Sequence, residues 1–198
     1  MERSLHSLQK SSAFLRRIFF VLLVIATAFL LWMAEAWIFG LFCTSEQMQA
    51  FETSYGGWSI SAGPFVMQIQ GGYFAPNAQL ETVAKTAYSV ESGMDLIAGA
   101  CQWLVYFLAY LLFEQAQENP FTPKSSRYLR RIGALLCLGS VLPEFGRTIL
   151  FRMLAGGLWS FFPSGLPVSS ILAWLVLFAV SRIFDYGCAL QREFDETL

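Results

Sequence analysis

Four long runs of apolar residues dominate the pattern along the chain. They cover about residues 18–42, 93–113, 132–151 and 167–184, and few charged side chains interrupt them. A helix that crosses the hydrocarbon core of a bilayer needs about 20 mostly apolar residues. The first run is also too long for the apolar part of a signal peptide. The pattern therefore predicts four transmembrane helices in a single membrane domain over residues 1–198.

Lysine and arginine are distributed unevenly among the segments outside these runs. The N-terminal segment, the three loops and the C-terminal segment hold 4, 1, 4, 1 and 2 of them in chain order, when Arg182 at the end of the fourth run is counted with the C-terminal segment. Cytoplasmic loops of membrane proteins are enriched in Lys and Arg. We therefore expect both termini and residues 114–131, the inner loop, to lie in the cytoplasm. Residues 43–92, the outer loop, would then lie on the opposite side.

The outer loop has two parts with different patterns. Residues 58–61 and 65–70 partly alternate polar and apolar side chains around Gly63 and Pro64, which predicts a β-hairpin. From Asn77 onward apolar residues recur at helical spacing, so the second helix should begin before it enters the bilayer. The predicted fold class is all-α: a four-helix transmembrane bundle with a small extracytoplasmic cap that contains the hairpin. The cap would shield polar helix ends or, alternatively, recognise a ligand or partner.

The inner loop carries a regular row of cations. Thr122 and Pro123 suit the N-cap and the first position of the third helix. The cations that follow are spaced to share one helix face, and we call them the basic stripe: Lys124, Arg127, Arg130 and Arg131. Near anionic headgroups each is worth about 1 kcal/mol, so the stripe would orient the chain in the membrane. The alternative is a docking site for a cytoplasmic protein.

Charged residues also occur inside or at the rim of the apolar runs. They are Glu35, Asp95, Glu144, Arg147 and Arg152. Ionisable groups within a bilayer are costly and usually pair with one another. At about 1.5 Å per residue, the first four lie about 18 to 27 Å from the cytoplasmic helix ends, which places all of them in the outer half. We therefore predict a buried polar cluster below the outer loop, which Arg152 joins from the rim.

The charges of this predicted cluster do not balance. Three carboxylates face one or two guanidiniums, so at least one carboxylate should bind a proton. One interpretation is an ion-pair network that fixes helix packing. The other is a site that responds to a proton or a ligand.

The composition agrees with a membrane protein and disfavours several other classes. Of the 198 residues, 56% are hydrophobic and only 14% are charged, whereas soluble domains carry roughly 25% charged residues. A net charge of −1 argues against direct nucleic-acid binding. The four cysteines form no C-x-x-C pair, and the chain contains neither a metal-ligand spacing of histidines nor a phosphate-binding loop. We therefore expect no catalytic residues, no metal and no cofactor, and predict that the protein is not an enzyme.

Two segments carry the pattern of a known family. The first is Asn119-Pro120-Phe121-Thr122, followed by Arg127, Leu129, Arg131, Ile132 and Gly133; the second is Ile183-Phe184-Asp185-Tyr186-Gly187, followed by Leu190-Gln191 and Asp195-Glu196-Thr197-Leu198. Both resemble DUF2975, an uncharacterised bacterial family in which Asn often stands where this chain has Ser125 or Ser126. The resemblance implies four spans, a bacterial inner membrane and no known reaction. Family members often accompany small helix-turn-helix regulators, which suggests by analogy a role in signalling or in tethering a regulator.

The functional expectation combines these features. We expect a non-enzymatic sensor or interaction protein of the cell inner membrane, whose outer cap or polar cluster perceives a signal. The inner loop and the amphipathic tail after Arg182 would pass it to a cytoplasmic partner, such as a helix-turn-helix transcriptional regulator. That tail ends in acidic residues and is either solvated or in contact with the basic stripe or an adapter. The alternative is a channel or transporter subunit that conducts protons or a solute, which with four spans would need a homo-oligomer.

Overall fold

The structure is a computed structural model of the chain. It describes residues 2–53, 57–69, 80–118, 122–154 and 167–196, with a few side chains near the ends of these ranges left out. The elements in chain order are α1 (Glu2–Phe42), β1 (Met48–Glu52), β2 (Trp58–Ala62), β3 (Phe65–Ile69), α2 (Leu80–Glu118), α3 (Pro123–Leu154) and α4 (Val168–Glu196). The predicted combination of four helices with a small amount of strand is confirmed.

Each of the four helices contains a segment that is long and apolar enough to cross a membrane. These segments are Lys10–Phe42, Ala84–Gln117, Lys124–Phe151 and Val168–Leu190. They extend beyond the predicted runs because polar flanking residues continue the same helices. Helix α2 begins at Leu80, well before the apolar run at residue 93, as the helical spacing from Asn77 predicts. The helices indicate a multi-pass membrane protein.

The chain divides into two compact units. The first unit comprises residues 1–28, 100–139 and 167–198, and the second comprises residues 29–99 and 140–166. In the first unit the buried core is formed by Val105, Ala109 and Ile132, with leucines packed around it. Gly133 allows close packing there, because a Cβ at this position would lie 3.1 Å from Cδ1 of Trp174.

The second unit contains an antiparallel sheet with strand order β1-β2-β3. Residue Ile60 of the central strand is paired with Ala50 of β1 and Met67 of β3. One face of the sheet packs into a core with helical residues of the same unit. The buried residues of this core are Ala36, Cys43, Met48, Ile60, Ala62, Phe65, Ile69, Ala84, Ala87, Tyr88 and Phe151. This cover supplies the packing that a small isolated sheet lacks in water.

The predicted hairpin corresponds to β2 and β3, which are joined by Gly63 and Pro64. Gly63 has a φ of +56°, a conformation that residues with a Cβ rarely adopt. Of the two turns that favour two-residue hairpins, type I′ needs positive φ at both positions, which proline cannot adopt. Gly followed by Pro is therefore compatible with the type II′ turn. Strand β1 is an addition to the predicted hairpin.

A close approach between α1 and α2 fixes the interior of the second unit. Tyr88 is completely buried, and its hydroxyl donates a hydrogen bond to the carbonyl oxygen of Ala36 over 3.3 Å. The Tyr88 ring occupies the space where a Cβ on Gly40 would lie. Because the hydrogen bond and the surrounding core restrain the ring, it has little freedom to move aside.

We expect Gly40→Ala to destabilise the protein by about 1–3 kcal/mol, because overpacking forces side chains and backbone to shift. The measurement is unfolding by sodium dodecyl sulfate in mixed micelles. Gly99→Ala is the matched control, since a Cβ there would lie 3.1 Å from the Met33 sulfur, and this flexible side chain can move. Equal stability losses for the two variants would contradict this account of Gly40.

Candidate functional site

Arg147 of α3 is surrounded by three carboxylates. Its Nε donates to Oε2 of Glu91 over 3.1 Å, and its Nη2 donates to Oδ1 of Asp95. Its Nη1 lies 3.9 Å from Oε2 of Glu144. We call these four residues the Arg147 cluster. All of them belong to the second unit and lie within candidate membrane spans.

Helix periodicity explains why these residues meet. Glu91 and Asp95 are four residues apart on α2, and Glu144 and Arg147 are three residues apart on α3, so each pair shares one helix face. Gly146 lies beside Met94 of α2, where a Cβ would come within 2.6 Å of the Met94 sulfur. The small residue next to Arg147 thus lets the two helix faces approach closely enough for direct ion pairs.

The members of the cluster differ in exposure. The side chains of Arg147 and Glu91 are 16% and 12% exposed, whereas that of Asp95 is 38% exposed. A guanidinium carries five N–H donors in a planar fork, so a single arginine can bind two carboxylates at once. Three carboxyl groups nevertheless share one guanidinium, so the cluster holds more acidic groups than Arg147 alone can balance. The cluster therefore combines a buried ion pair with a more accessible carboxylate.

The structure brings Asp95, Glu144 and Arg147 together, as the sequence predicts, but it does not bring Glu35 to them. The side chain of Glu35 is exposed, while the neighbouring Ala36 is buried at 6% exposure. Consecutive helical residues point about 100° apart, so the face of α1 that packs inward at Ala36 excludes Glu35. The prediction of Glu35 in the cluster is therefore wrong. The side chain of Arg152 lies outside the described part of the structure.

Sequence reasoning missed Glu91. This residue lies two positions before the apolar run that begins at residue 93, so it was assigned to the outer loop. The helical spacing from Asn77 contained the signal, because it placed Glu91 one turn before Asp95 on a continuous helix. Among the described residues, no group of three His, Cys, Asp or Glu side chains is arranged to hold a metal ion.

Three of the four cations of the basic stripe are exposed, and the fourth is partly buried. Lys124, Arg127 and Arg131 are exposed. Arg130 is turned toward α4, where its Nη2 lies 3.4 Å from Oδ2 of Asp185, and the two side chains are 39% and 34% exposed. A contact between the acidic C-terminal helix and the stripe was one of the predicted alternatives. The structure realises it through Arg130.

Three serines are buried next to this ion pair in the first unit. Ser125, Ser126 and Ser181 are at most 1% exposed. The Ser126 hydroxyl donates to the Ser181 carbonyl oxygen over 3.1 Å, which links α3 to α4. The amide of Ser125 donates to the Thr122 hydroxyl over 3.4 Å, and α3 begins at Pro123, in agreement with the predicted N-cap. These serines position the start of α3 and the cations that it carries.

The fold and the cluster indicate a multi-pass helical membrane protein with ion-paired residues inside its candidate spans. The sequence model of a family described as "Protein of unknown function (DUF2975)" matches residues 71–198, which is more than half of the chain. The chain therefore belongs to the DUF2975 family, as its resemblance indicated. The matched region includes the Arg147 cluster and the basic stripe. No curated protein and no solved structure matches the chain.

We expect Arg147→Met to destabilise the protein by about 3 kcal/mol or more, because it leaves carboxylates buried without a counter-charge. Arg130→Met is the matched control on the same helix, and its half-exposed pair should contribute at most about 1 kcal/mol. Both values follow from unfolding by sodium dodecyl sulfate in mixed micelles.

A compensating variant tests whether uncompensated carboxylates are the cause of the stability loss in Arg147→Met. Adding Glu91→Gln and Asp95→Asn to Arg147→Met removes two of the three carboxylates that would lack a counter-charge, so the triple variant should be more stable than Arg147→Met alone. The account fails if the triple variant is less stable than Arg147→Met, or if Arg130→Met costs as much stability as Arg147→Met.

Proposed function

We propose that the protein is a non-enzymatic sensor or interaction protein of the cell inner membrane. The Arg147 cluster is the observation that carries this proposal. Ionisable side chains inside membrane spans are costly and by default mark a functional site. Arg147 and Glu91 are largely buried, yet Asp95 remains partly exposed, which suits a site that perceives a ligand or a proton.

The proposed orientation places both termini and the basic stripe in the cytoplasm. The support is the alternating number of Lys and Arg residues in the segments between the helices. The three-stranded sheet would then lie on the outer side. Helix α3 carries both Arg147 and the basic stripe. In this proposal α3 therefore takes part both in perceiving the signal and in passing it on.

The proposed output surface consists of the basic stripe and the end of α4. Lys124, Arg127 and Arg131 present exposed cations, and α4 continues to Glu196, beyond the apolar segment that ends at Leu190. Exposed cations attract acidic partners and headgroups over several ångströms. A helix-turn-helix transcriptional regulator with an acidic surface outside its DNA-binding helix is the partner that we favour.

A helix-turn-helix protein encoded beside this chain should co-purify with it from detergent-solubilised membranes. Replacing Arg127, Arg130 and Arg131 by Ala should reduce the recovered regulator by about tenfold, because the docking charges are lost. The matched control replaces Lys10, Arg16 and Arg17 by Ala, which removes as many cations from the N-terminal segment. Equal recovery with the stripe variant and the wild type would contradict the proposed output surface.

A channel or transporter subunit is the second candidate. The observation that favours it is the set of three carboxylates around Arg147 within candidate membrane spans, since such groups also line proton and cation pathways. Assembly of several copies would supply the spans that a single chain lacks. In this case Glu144 would exchange a proton or contact the solute.

Proteoliposomes distinguish the second candidate. A proton or solute flux should appear with the wild-type protein and be abolished by Glu144→Gln. The control is Glu114→Gln, because Glu114 is half-exposed, lies 3.8 Å from Arg16 and does not belong to the Arg147 cluster. A flux no greater than that of protein-free liposomes would exclude this candidate for the tested ion or solute.

A further inference from the structure

A cavity of about 90 Å³ lies next to the Arg147 cluster in the second unit. Its wall is built from α1, α2 and β3. Its inner part is formed by buried residues, among them Ala36, Tyr88 and Ser92. Its rim includes the exposed side chains of Trp32 and Val66. The cavity is therefore a half-open pocket with a closed inner end.

The lining of the cavity is mostly aromatic and thioether-containing. Trp32 and Phe65 meet with their ring centroids 6.0 Å apart and their planes inclined by 52°. Tyr88 and Met33 add a further ring and a sulfur atom. The faces of aromatic rings attract cations, and this attraction is strongest when water is excluded. The lining thus favours a ligand that is both apolar and positively charged.

Among the described residues that line the cavity, Asp95 is the one with a charged side chain. Arg147 donates to its Oδ1, and a carboxylate offers about four acceptor positions on its two oxygens. The same guanidinium also binds Glu91. One arginine shared by two carboxylates leaves Asp95 with acceptor capacity and negative charge for a further cation.

We propose that this cavity binds a monovalent organic ammonium ion with a compact apolar substituent. The ammonium group donates to Asp95, and the hydrocarbon lies against Trp32, Phe65 and Met33. The volume of about 90 Å³ is smaller than the enclosed cavity of about 150 Å³ that accommodates benzene. The pocket therefore holds only a compact group, and part of the ligand lies at its open rim. A hard metal ion is disfavoured, since it requires several oxygen ligands that an aromatic lining does not supply. This proposal rests on the proposed sensor function, because it names the chemical class of the signal that the sensor would perceive.

Binding of n-butylammonium to the purified full-length protein in lipid nanodiscs tests the proposal. Ligand-observed nuclear magnetic resonance gives the Kd of n-butylammonium and, for comparison, those of 1-butanol and butyrate. These two have the same number of carbon atoms, but 1-butanol is neutral and butyrate is negatively charged. The ammonium should bind at least about tenfold more tightly than either, a difference of about 1.4 kcal/mol. Equal affinity for 1-butanol would overturn the proposal, because the pocket would then be merely apolar.

Variants locate the binding. Asp95→Asn should weaken n-butylammonium binding by about tenfold through loss of the charge-assisted hydrogen bond, and Trp32→Ala by about three- to fivefold through loss of apolar contact with the hydrocarbon. Glu52→Gln is the matched control, because it removes an exposed carboxylate of the second unit that neither lines the cavity nor belongs to the Arg147 cluster. It should leave the affinity within about twofold of the wild type.

Two outcomes would overturn the assignment to this cavity: unchanged binding to Trp32→Ala, or equal losses for Glu52→Gln and Asp95→Asn. Trp32 is half-exposed at the rim, so its variant keeps the test valid if Asp95→Asn does not fold. The binding measurement needs no cytoplasmic partner. If the regulator co-purifies with the protein but n-butylammonium does not bind, the proposed ligand class is overturned and the sensor function is not. If n-butylammonium binds but no regulator co-purifies, the sensor function is overturned and the ligand class is not.

Discussion

Arg147 can remain charged within a candidate membrane span only if carboxylates replace the water that a guanidinium loses. Desolvation of a buried ion costs several kcal/mol, and ion pairs with good geometry are needed to offset it. This requirement places Glu91 and Asp95 of α2 against Glu144 and Arg147 of α3. Gly146 lies in the same interface, where the absence of a Cβ leaves room for the side chain of Met94.

The proposed responsive role depends on the excess of carboxyl groups over Arg147. Glu91 forms the more buried ion pair with Arg147. Here a second carboxylate, Asp95, remains partly exposed and lines an aromatic cavity. A group that enters this cavity with a positive charge would be attracted to Asp95 without displacing Glu91. The proposed ligand could therefore alter the ion pairing of Arg147 while the buried pair persists.

The sequence predicts the four helices because each crossing demands a long apolar run, and it predicts Asp95, Glu144 and Arg147 because charges inside such runs must pair. The error at Glu35 has a physical origin: counting residues gives a depth, but residues 18–42 of α1 are apolar almost all round, so no periodicity indicates which face packs inward. Strand β1 escaped detection because Gln49, Ala50 and Glu52 have low β-propensity, and pairing with β2 overrides it.

The two arginine sites of α3 suit opposite tasks in the proposed sensor. Arg147 is 16% exposed and cannot lose its carboxylates without leaving charges buried. Arg130 and Asp185 are 39% and 34% exposed, and such pairs contribute about 0–1 kcal/mol in water. An acidic partner can therefore compete for Arg130 at little energetic cost, which would release Asp185 of α4. In the proposed sensor, the ion pairs of Arg147 keep α3 folded. The exchangeable pair of Arg130 and Asp185, near the start of α3, allows a cytoplasmic partner to bind and leave.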